Sequence, residues 1–314
     1  MKLSLFDTHC DTAYALYRRG ASLMQNPCHV SLEKAACYER YAQFYAIWSN
    51  RQLDDEACWL QFLKISDYFH AELEKNAHRA VQVTTATELE TAWREGKHAA
   101  ILAVEDARMT AGKAERLDEL KARGVRYLTL LWGGNTCVGG SHDTKNGLTD
   151  FGKAIVRGCF EKGIIPDVSH ASEQAVDDLL PIAYEYGKPF IASHSNSRAV
   201  YGHTRNLRDR HFTAVKELGG IVGISLCPQH LTDTSLRPAA PEDIFRHVEH
   251  YLALGGEDTV GFGADWDGTD LPPEISHVGD LTRVAEFMAA HNYSDNLIEK
   301  IFWKNTYQFV MKNL

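Results

Sequence analysis

The sequence predicts an α/β fold, a (β/α)8 TIM barrel spanning residues 1–314 as a single catalytic domain. Three observations carry this. Short apolar runs with β-branched or aromatic content alternate with helix-like stretches along the chain. There are eight such runs. Polar residues able to do chemistry recur at the ends of these runs, as they do where barrel strands open onto an active site. The 314 residues are enough for one large barrel or two smaller domains, and no Pro/Ser-rich linker, internal repeat or low-complexity run divides them.

The expected strands are Leu3–His9, Phe44–Ser49, Ala99–Val104, Arg126–Trp132, Ile164–His170, Phe190–His194, Ile221–Leu226 and Val260–Asp265. The second is the least distinct, because Tyr41-Ala42-Gln43-Phe44-Tyr45-Ala46-Ile47-Trp48 also suits a continuing helix. Helices are expected between the strands. Thr87–Glu95 has the form of a capping box, with Thr87 followed three residues later by Glu90. Residues 118–123, Phe151–Lys162, Thr213–Leu218 and Pro241–Leu254 each stop at a glycine that serves as a C-cap, and Ser172–Tyr186 runs from a serine cap to Gly187. Residues 50–86 exceed a simple crossover and are expected to be an inserted helical segment over one face.

Composition narrows the function. The formal net charge of −9 argues against nucleic acid as a partner, since phosphate rewards basic surfaces. No stretch approaches the roughly 20 apolar residues of a membrane span. The N-terminus lacks the pattern of a signal peptide: Lys2 is the sole basic residue and the polar cluster begins at Asp7. Seven cysteines with no CxxC pair read as reduced, small core fillers, and together these features predict a cytoplasmic protein.

The polar residues at the strand ends carry the chemistry. The first strand runs into Asp7, His9 and Asp11; alternate side chains of a strand share a face, so these three are expected to converge. The third ends in Glu105, the fifth in Asp167 and His170, the sixth in His194 and the eighth in Asp265 and Asp267. All C-terminal strand ends of a barrel meet at one mouth. Three imidazoles among several carboxylates, without a matched set of cysteines, suit zinc or a similar divalent ion. Without a cation such a cluster repels itself. Glu105 can bridge two ions, and Asp265 can take a proton from a water between them. Singly, each residue has a plainer explanation: a hydrogen-bonded strand-end histidine, an Asp-Gly turn, an N-cap. Their coincidence at one end of the strands points to metal-dependent hydrolysis.

The pieces resemble the renal-type (membrane) dipeptidases, binuclear zinc peptidases of the metallo-dependent hydrolase type. The carriers of the resemblance span nearly the whole chain. They are Asp7-Thr8-His9-Cys10-Asp11-Thr12, Val104-Glu105, residues 124–130 (GVRYLTL), residues 148–156 (LTDFGKAIV), Asp167-Val168-Ser169-His170, Ile191-Ala192-Ser193-His194-Ser195, Gly202-His203-Thr204-Arg205-Asn206-Leu207 and Gly263-Ala264-Asp265-Trp266-Asp267-Gly268.

The resemblance implies two Zn2+ or other divalent ions, held by His9, Asp11, His170 and His194 with Glu105 bridging both. It implies hydrolysis of dipeptides, including L-Xaa-D-Xaa, by a hydroxide between the ions, with Asp265 handling protons. Arg205 is then expected to grip the substrate's terminal carboxylate, a task suited to a guanidinium fork. Trp132, Asn135 and His203 are expected as further substrate contacts, Asp7 as the partner that orients a ligand, and a homodimer as the assembly.

Two departures stand out. The family often carries a histidine where Trp132 stands, and that histidine stabilises the developing oxyanion; an indole offers one neutral N–H. A pocket wall is the plainer role for Trp132, with His142 as a weaker replacement donor. The family's His-Pro-Arg-Asn appears as His203-Thr204-Arg205-Asn206. Two other readings remain. One is an amidohydrolase-type barrel acting on cyclic amides or lactones, although such sites begin with His-x-His and often bridge their metals with a modified lysine. The other is a catalytically inactive, metal-binding barrel.

Overall fold

The computed structural model describes residues 2–314. Its strands are β1 (Leu5–Cys10), β2 (Tyr41–Trp48), β3 (Ala80–Gln82), β4 (His98–Glu105), β5 (Val125–Thr129), β6 (Ile165–Asp167), β7 (Val222–Ile224) and β8 (Val260–Phe262). They form one parallel sheet in the order β6-β5-β4-β2-β1-β8-β7, with β3 paired to β4 off this path. Residues 190–194 close the gap between β6 and β7. Ile191 N donates to Pro166 O at 3.0 Å and Val168 N to Ile191 O at 2.9 Å; on the other side Ala192 N donates to Ile221 O at 3.1 Å and Gly223 N to Ala192 O at 2.9 Å. The expected sixth strand is thus present as a ladder one residue deep on each side, and the sheet curls into a barrel with its helices outside.

Strand alternation sorts the side chains into two packed layers. Ala42, Phe44 and Ala46 of β2, Ala99, Ile101 and Ala103 of β4 and Tyr127 of β5 share one buried cluster with Phe6, Ile165, Ile191 and Ile221. Tyr41, Tyr45, Ile47, Leu102 and Val104 belong to the other, with the helices. Glu105 continues the parity of Ala99, Ile101 and Ala103, so it enters the mouth from the end of β4. The aromatic and β-branched content of β2 overrides its helix-like pattern, because β2 lies between β1 and β4 and is buried on both faces.

The glycine stops hold at Gly163 and Gly187, which cap Asp150–Lys162 and Glu173–Tyr186 in the left-handed conformation. One cap differs from expectation. The capping box before Ala86–Arg94 uses Thr85 and Glu88, not Thr87 and Glu90. Both pairs have the right spacing; the extended backbone at Thr85 decides between them. Residues 50–86 hold one 21-residue helix, Asp55–Lys75, and then β3, a strand not foreseen.

Interior closeness requires glycine at Gly263: a Cβ there would sit 1.8 Å from Ser193 O and 2.5 Å from Thr8 Oγ1. Thr8 Oγ1 donates to Ser193 O at 2.5 Å and also approaches Phe262 O at 3.0 Å, tying β1 to both neighbours of the barrel's last quarter. Among the described residues no helix is long and apolar enough to cross a membrane.

Candidate active site

Five expected metal ligands converge at the C-terminal mouth. His9 Nε2 lies 3.6 Å from Asp11 Oδ2, 3.8 Å from Glu105 Oε2 and 3.8 Å from Asp265 Oδ1. Glu105 Oε1 lies 3.0 Å from His170 Nε2 and 3.4 Å from His194 Nε2. Glu105 therefore stands between the two sets with one carboxylate oxygen toward each. His9, Asp11, Glu105, His194 and Asp265 are buried and His170 is half-buried.

The other nitrogen of each imidazole fixes its tautomer. His170 Nδ1 faces the carbonyl of Trp132 at 3.0 Å, an acceptor, so Nδ1 carries the proton. His194 Nδ1 faces Ser193 Oγ at 2.7 Å, and that hydroxyl donates to Asp167 Oδ2 at 2.6 Å, so it accepts from the ring. His9 Nδ1 faces Tyr127 OH at 2.7 Å, and Tyr127 donates to Thr8 O at 3.0 Å. All three rings thus hold Nδ1–H outward and turn Nε2 to one space. His170 Nε2 and His194 Nε2 approach to 3.0 Å, an arrangement that repels unless a cation lies against both.

Several observations fit this donor set to divalent cations. The ligand atoms of His9, Glu105 and His194 lie within 4.8 Å of one another, as do those of His9, Asp11 and Asp265. His9 Nε2 and Asp11 Oδ1 are buried with no hydrogen-bond partner. A Cβ on Gly268 would fall 2.2 Å from Asp11 Oδ2 and 2.4 Å from Asp265 Oδ1, so the carboxylates depend on a bare backbone there. Oxygen and imidazole donors suit zinc and its neighbours.

The electrostatics agree. Burial, then the nearby Asp11 carboxylate, push Glu105 well above the carboxylate range. Burial raises Asp265 to about 6, against the opposing pull of His9. Burial disfavours charge on His9, but the carboxylates of Glu105, Asp11 and Asp265 outweigh it and raise the group to about 10. A cation on Nε2 would replace that proton. Burial drives His170 and His194 well below their ordinary value, which keeps them neutral as ligands. The backbone is strained here too: His170 has φ 68° and Asp265 φ 65°, left-handed conformations that aim side chains at strand ends.

Asp7 departs from expectation. The register of β1 against β2 shifts between Asp7 and Cys10, which breaks strict alternation. The Asp7 carboxylate accepts from His9 N at 2.9 Å, Gln43 Nε2 at 2.9 Å, Ala264 N at 3.0 Å and the Trp266 indole at 3.2 Å. It anchors the β1–β8 seam, and Tyr127, rather than Asp7, orients the His9 ring. Asp167 plays the corresponding part for the other ring through Ser193.

A cavity of about 420 Å³ opens over the cluster, lined by Asp11, Glu105, His170 and Asp265 and walled by Tyr14, Trp48, Trp132 and His230. Trp132 packs edge-on to Trp48 at 5.1 Å, with the Arg51 guanidinium 5.6 Å from its ring. Arg205 is buried against His194, its Nη2 3.2 Å from His194 O, its Nη1 3.3 Å from Ser195 Oγ and its Nε without a partner. His203 is half-buried, accepts from Arg205 N at 3.2 Å and stacks 4.8 Å from His230. Asn135 is not brought to the cavity: it is exposed, and its side-chain oxygen accepts from Asn146 within a loop. His142 lines a separate cleft with Thr204.

Sequence reasoning missed Tyr127, whose hydroxyl has no motif to mark it, and His230. The signal for His230 was its place just past the seventh strand, at the mouth.

A parallel barrel whose mouth gathers three imidazoles around shared carboxylates belongs among the metal-dependent hydrolases. A sequence model of the membrane dipeptidases (peptidase family M19) matches residues 1–313. The chain belongs to this family and is a metallodipeptidase by that membership. It is 32% identical over 232 residues to an uncharacterised protein of the pqqA 5′ region of Klebsiella pneumoniae, covering 70% of this chain and 84% of that one. It is 30% identical over 240 residues to dipeptidase tcpJ of Claviceps purpurea, covering 74% of this chain but 55% of the relative's length. A crystal structure of a metallopeptidase from Rhodobacter sphaeroides, bound to a phosphinate mimic of the dipeptide L-Ala-D-Ala, superposes with a TM-score of 0.92 at 25% identity over 100% of both chains.

Proposed function

We propose that the chain acts as one catalytic domain that hydrolyses dipeptides with two divalent ions, zinc by preference. The observation that carries the reading is the shared orientation of the three imidazoles. Each has its Nδ1–H engaged and its Nε2 turned toward Glu105. His9 and Asp11 would hold one ion, His170 and His194 the other, and Glu105 both. When bound, such a pair supplies a nucleophilic water at neutral pH and polarises the scissile carbonyl.

The chain's own groups do the rest. Asp265, on the His9 side, takes a proton at its carboxylate and returns it to the leaving amine; its raised affinity for protons suits that shuttle. Arg205 holds the substrate's terminal carboxylate through its fork, and its unpartnered Nε marks unused donor capacity. That grip limits substrates to short peptides with a free C-terminus. Trp132, Trp48 and Tyr14 form an aromatic wall for a substrate side chain and exclude water. His203 supports Arg205 from its backbone side. Acceptance of L-Xaa-D-Xaa dipeptides is part of this proposal, supported by the ligand in the Rhodobacter sphaeroides relative.

The test is amino-acid release from a panel of L-Xaa-L-Xaa and L-Xaa-D-Xaa dipeptides by zinc-loaded and chelated protein. Release that needs metal, and saturates at two ions per chain, is the expected result. Bound zinc with no release from any dipeptide overturns the reading and favours the cyclic-amide or inactive-barrel alternatives.

A further inference from the structure

The opposite face of the barrel carries a second built feature, at the N-terminal strand ends. Ala80 of β3 pairs with His98 of β4, and Ala42 of β2 pairs with Ala99 of β4. Tyr41, His98 and Ala80 therefore stand in one row across three adjacent strands. Arg40 and Arg79 precede that row by one residue on its two flanks. The sheet fixes both backbones, since Leu5 N donates to Arg40 O and His98 N to Arg79 O. Two strand spacings, about 10 Å, separate the flanks, a span that two arginine side chains close onto one small ligand.

Between them is a pocket of about 200 Å³, lined by Arg40, Arg79, Lys97, His98, Tyr41 and Trp93 among others. Lys97 is paired with Glu95, but among the described residues neither Arg40 nor Arg79 has a carboxylate within ion-pair distance or a side-chain hydrogen bond. In a chain of net charge −9, two arginines lining one pocket without an ion-pair partner stand out, with Glu39 as the one carboxylate residue of the lining. The Arg40 guanidinium stands 5.8 Å from the Trp93 ring. His98 Nδ1 and Trp93 Nε1, polar atoms of two lining residues, are buried behind the wall without any partner. The His98 ring packs edge-on to Tyr41 at 5.4 Å.

We infer that this pocket is a binding site for a small phosphate-bearing anion, gripped by Arg40 and Arg79 and backed by the Tyr41, Trp93 and His98 rings. The chemistry is a guanidinium fork on each side of a tetrahedral anion, with an aromatic surface beside it. The phosphate has two sources that fit: free inorganic phosphate, or the phosphate of a small organic ester whose body lies on Trp93. The site is independent of the hydrolytic centre, which occupies the other end of the strands, and does not rest on the dipeptidase reading.

The experiment is titration of the metal-loaded protein with inorganic phosphate and, separately, with phenyl phosphate, followed by calorimetry. Arg40→Ala, Arg79→Gln and the double variant are compared with the parent, with melting temperature and circular dichroism reporting the fold. Loss of a charge-assisted contact weakens affinity about ten- to a hundredfold per arginine. Saturable binding that weakens by that factor in each folded variant supports the site. Tighter binding of phenyl phosphate then identifies an organic ester, and equal binding identifies free phosphate. Affinity unchanged in both single variants, or no saturable binding in the parent, overturns the proposal.

Discussion

Tyr127→Phe probes the orientation of His9 through a single oxygen atom. In the parent, Tyr127 OH accepts the His9 Nδ1 proton at 2.7 Å and donates to Thr8 O at 3.0 Å, with all three residues buried. Phenylalanine keeps the ring and leaves no cavity. The imidazole then has no acceptor for Nδ1–H, and the group escapes that cost by shedding that proton and keeping the one on Nε2. There it meets Asp11, Glu105 and Asp265 at 3.6, 3.8 and 3.8 Å.

The metal-free protein therefore loses about 2 kcal/mol, about 1 for each of the two hydrogen bonds the hydroxyl makes. Metal binding suffers more, because the neutral ring now keeps its proton on the lone pair a cation needs. Removing the partner that orients a ligand costs about 10–100-fold in affinity, or about 1.4–2.7 kcal/mol. The assay is thermal unfolding with chelator and with saturating zinc, alongside competitive zinc titration. The melting temperature should fall more in zinc than in chelator, by about 2 °C for each kcal/mol of lost binding energy in a chain of this size. Equal losses in the two conditions, or unchanged zinc affinity, would refute the tautomer reasoning.

Four further outcomes follow from the geometry. Gly268→Ala forces the Asp11 and Asp265 carboxylates aside by about 1 Å, and displacement of that size lowers turnover by about 10²-fold, measured with metal content on the same sample. Arg205→Met should raise KM for dipeptides by about tenfold or more while their C-terminal amides react alike with parent and variant; a KM that does not move would remove Arg205 from substrate binding. Trp132→Ala should raise KM chiefly for dipeptides with bulky side chains, whereas an equal loss of kcat on every dipeptide would place the indole at the oxyanion instead.

The last outcome concerns pH. The folded Asp265 binds its proton up to about pH 6, above the ordinary carboxylate range. A raised carboxyl stabilises the fold below the unfolded value and loses that contribution as pH rises through the folded one. Chelated protein should accordingly lose this contribution from about pH 4 to 7, while zinc-loaded protein gains stability over the same window as protons stop competing with metal. His170 and His194, kept neutral by burial, contribute with the opposite sign over the same window, so the Asp265 part is read as the difference between melting curves of chelated parent and chelated Asp265→Asn protein. Melting curves of the zinc-loaded protein across that window check its gain.

Much of the site was legible in the chain because a barrel converts order along the sequence into position around a mouth. His9, Glu105, His170, His194 and Asp265 each follow an apolar run, and parallel strands deliver such residues to one end. Local propensity placed the glycine stops at Gly163 and Gly187 for the same reason: they need only their own backbone. The failures are where register or packing decides. Alternation alone aimed Asp7 into the mouth with His9 and Asp11, and with the bulge in β1 its carboxylate sits instead on donors of the β1–β8 seam. Asn135 has the composition of a contact residue, but its loop folds back on Asn146.

What the sequence by itself determined is the kind of protein: parallel strands, a metal-dependent chemistry and the ligand types, all properties of residue identity and spacing. Only the tertiary structure decided which ring nitrogens of those candidate ligands face the shared space. Tyr127 and the Trp132 carbonyl lie 118 and 38 residues from the rings they orient, and Asp167, which fixes the Ser193 hydroxyl beside His194, lies 26 residues from that serine; no local pattern links these. Hydrogen bonds across the barrel set each proton, and a proton's position is a property of the folded neighbourhood rather than of the residue that carries it.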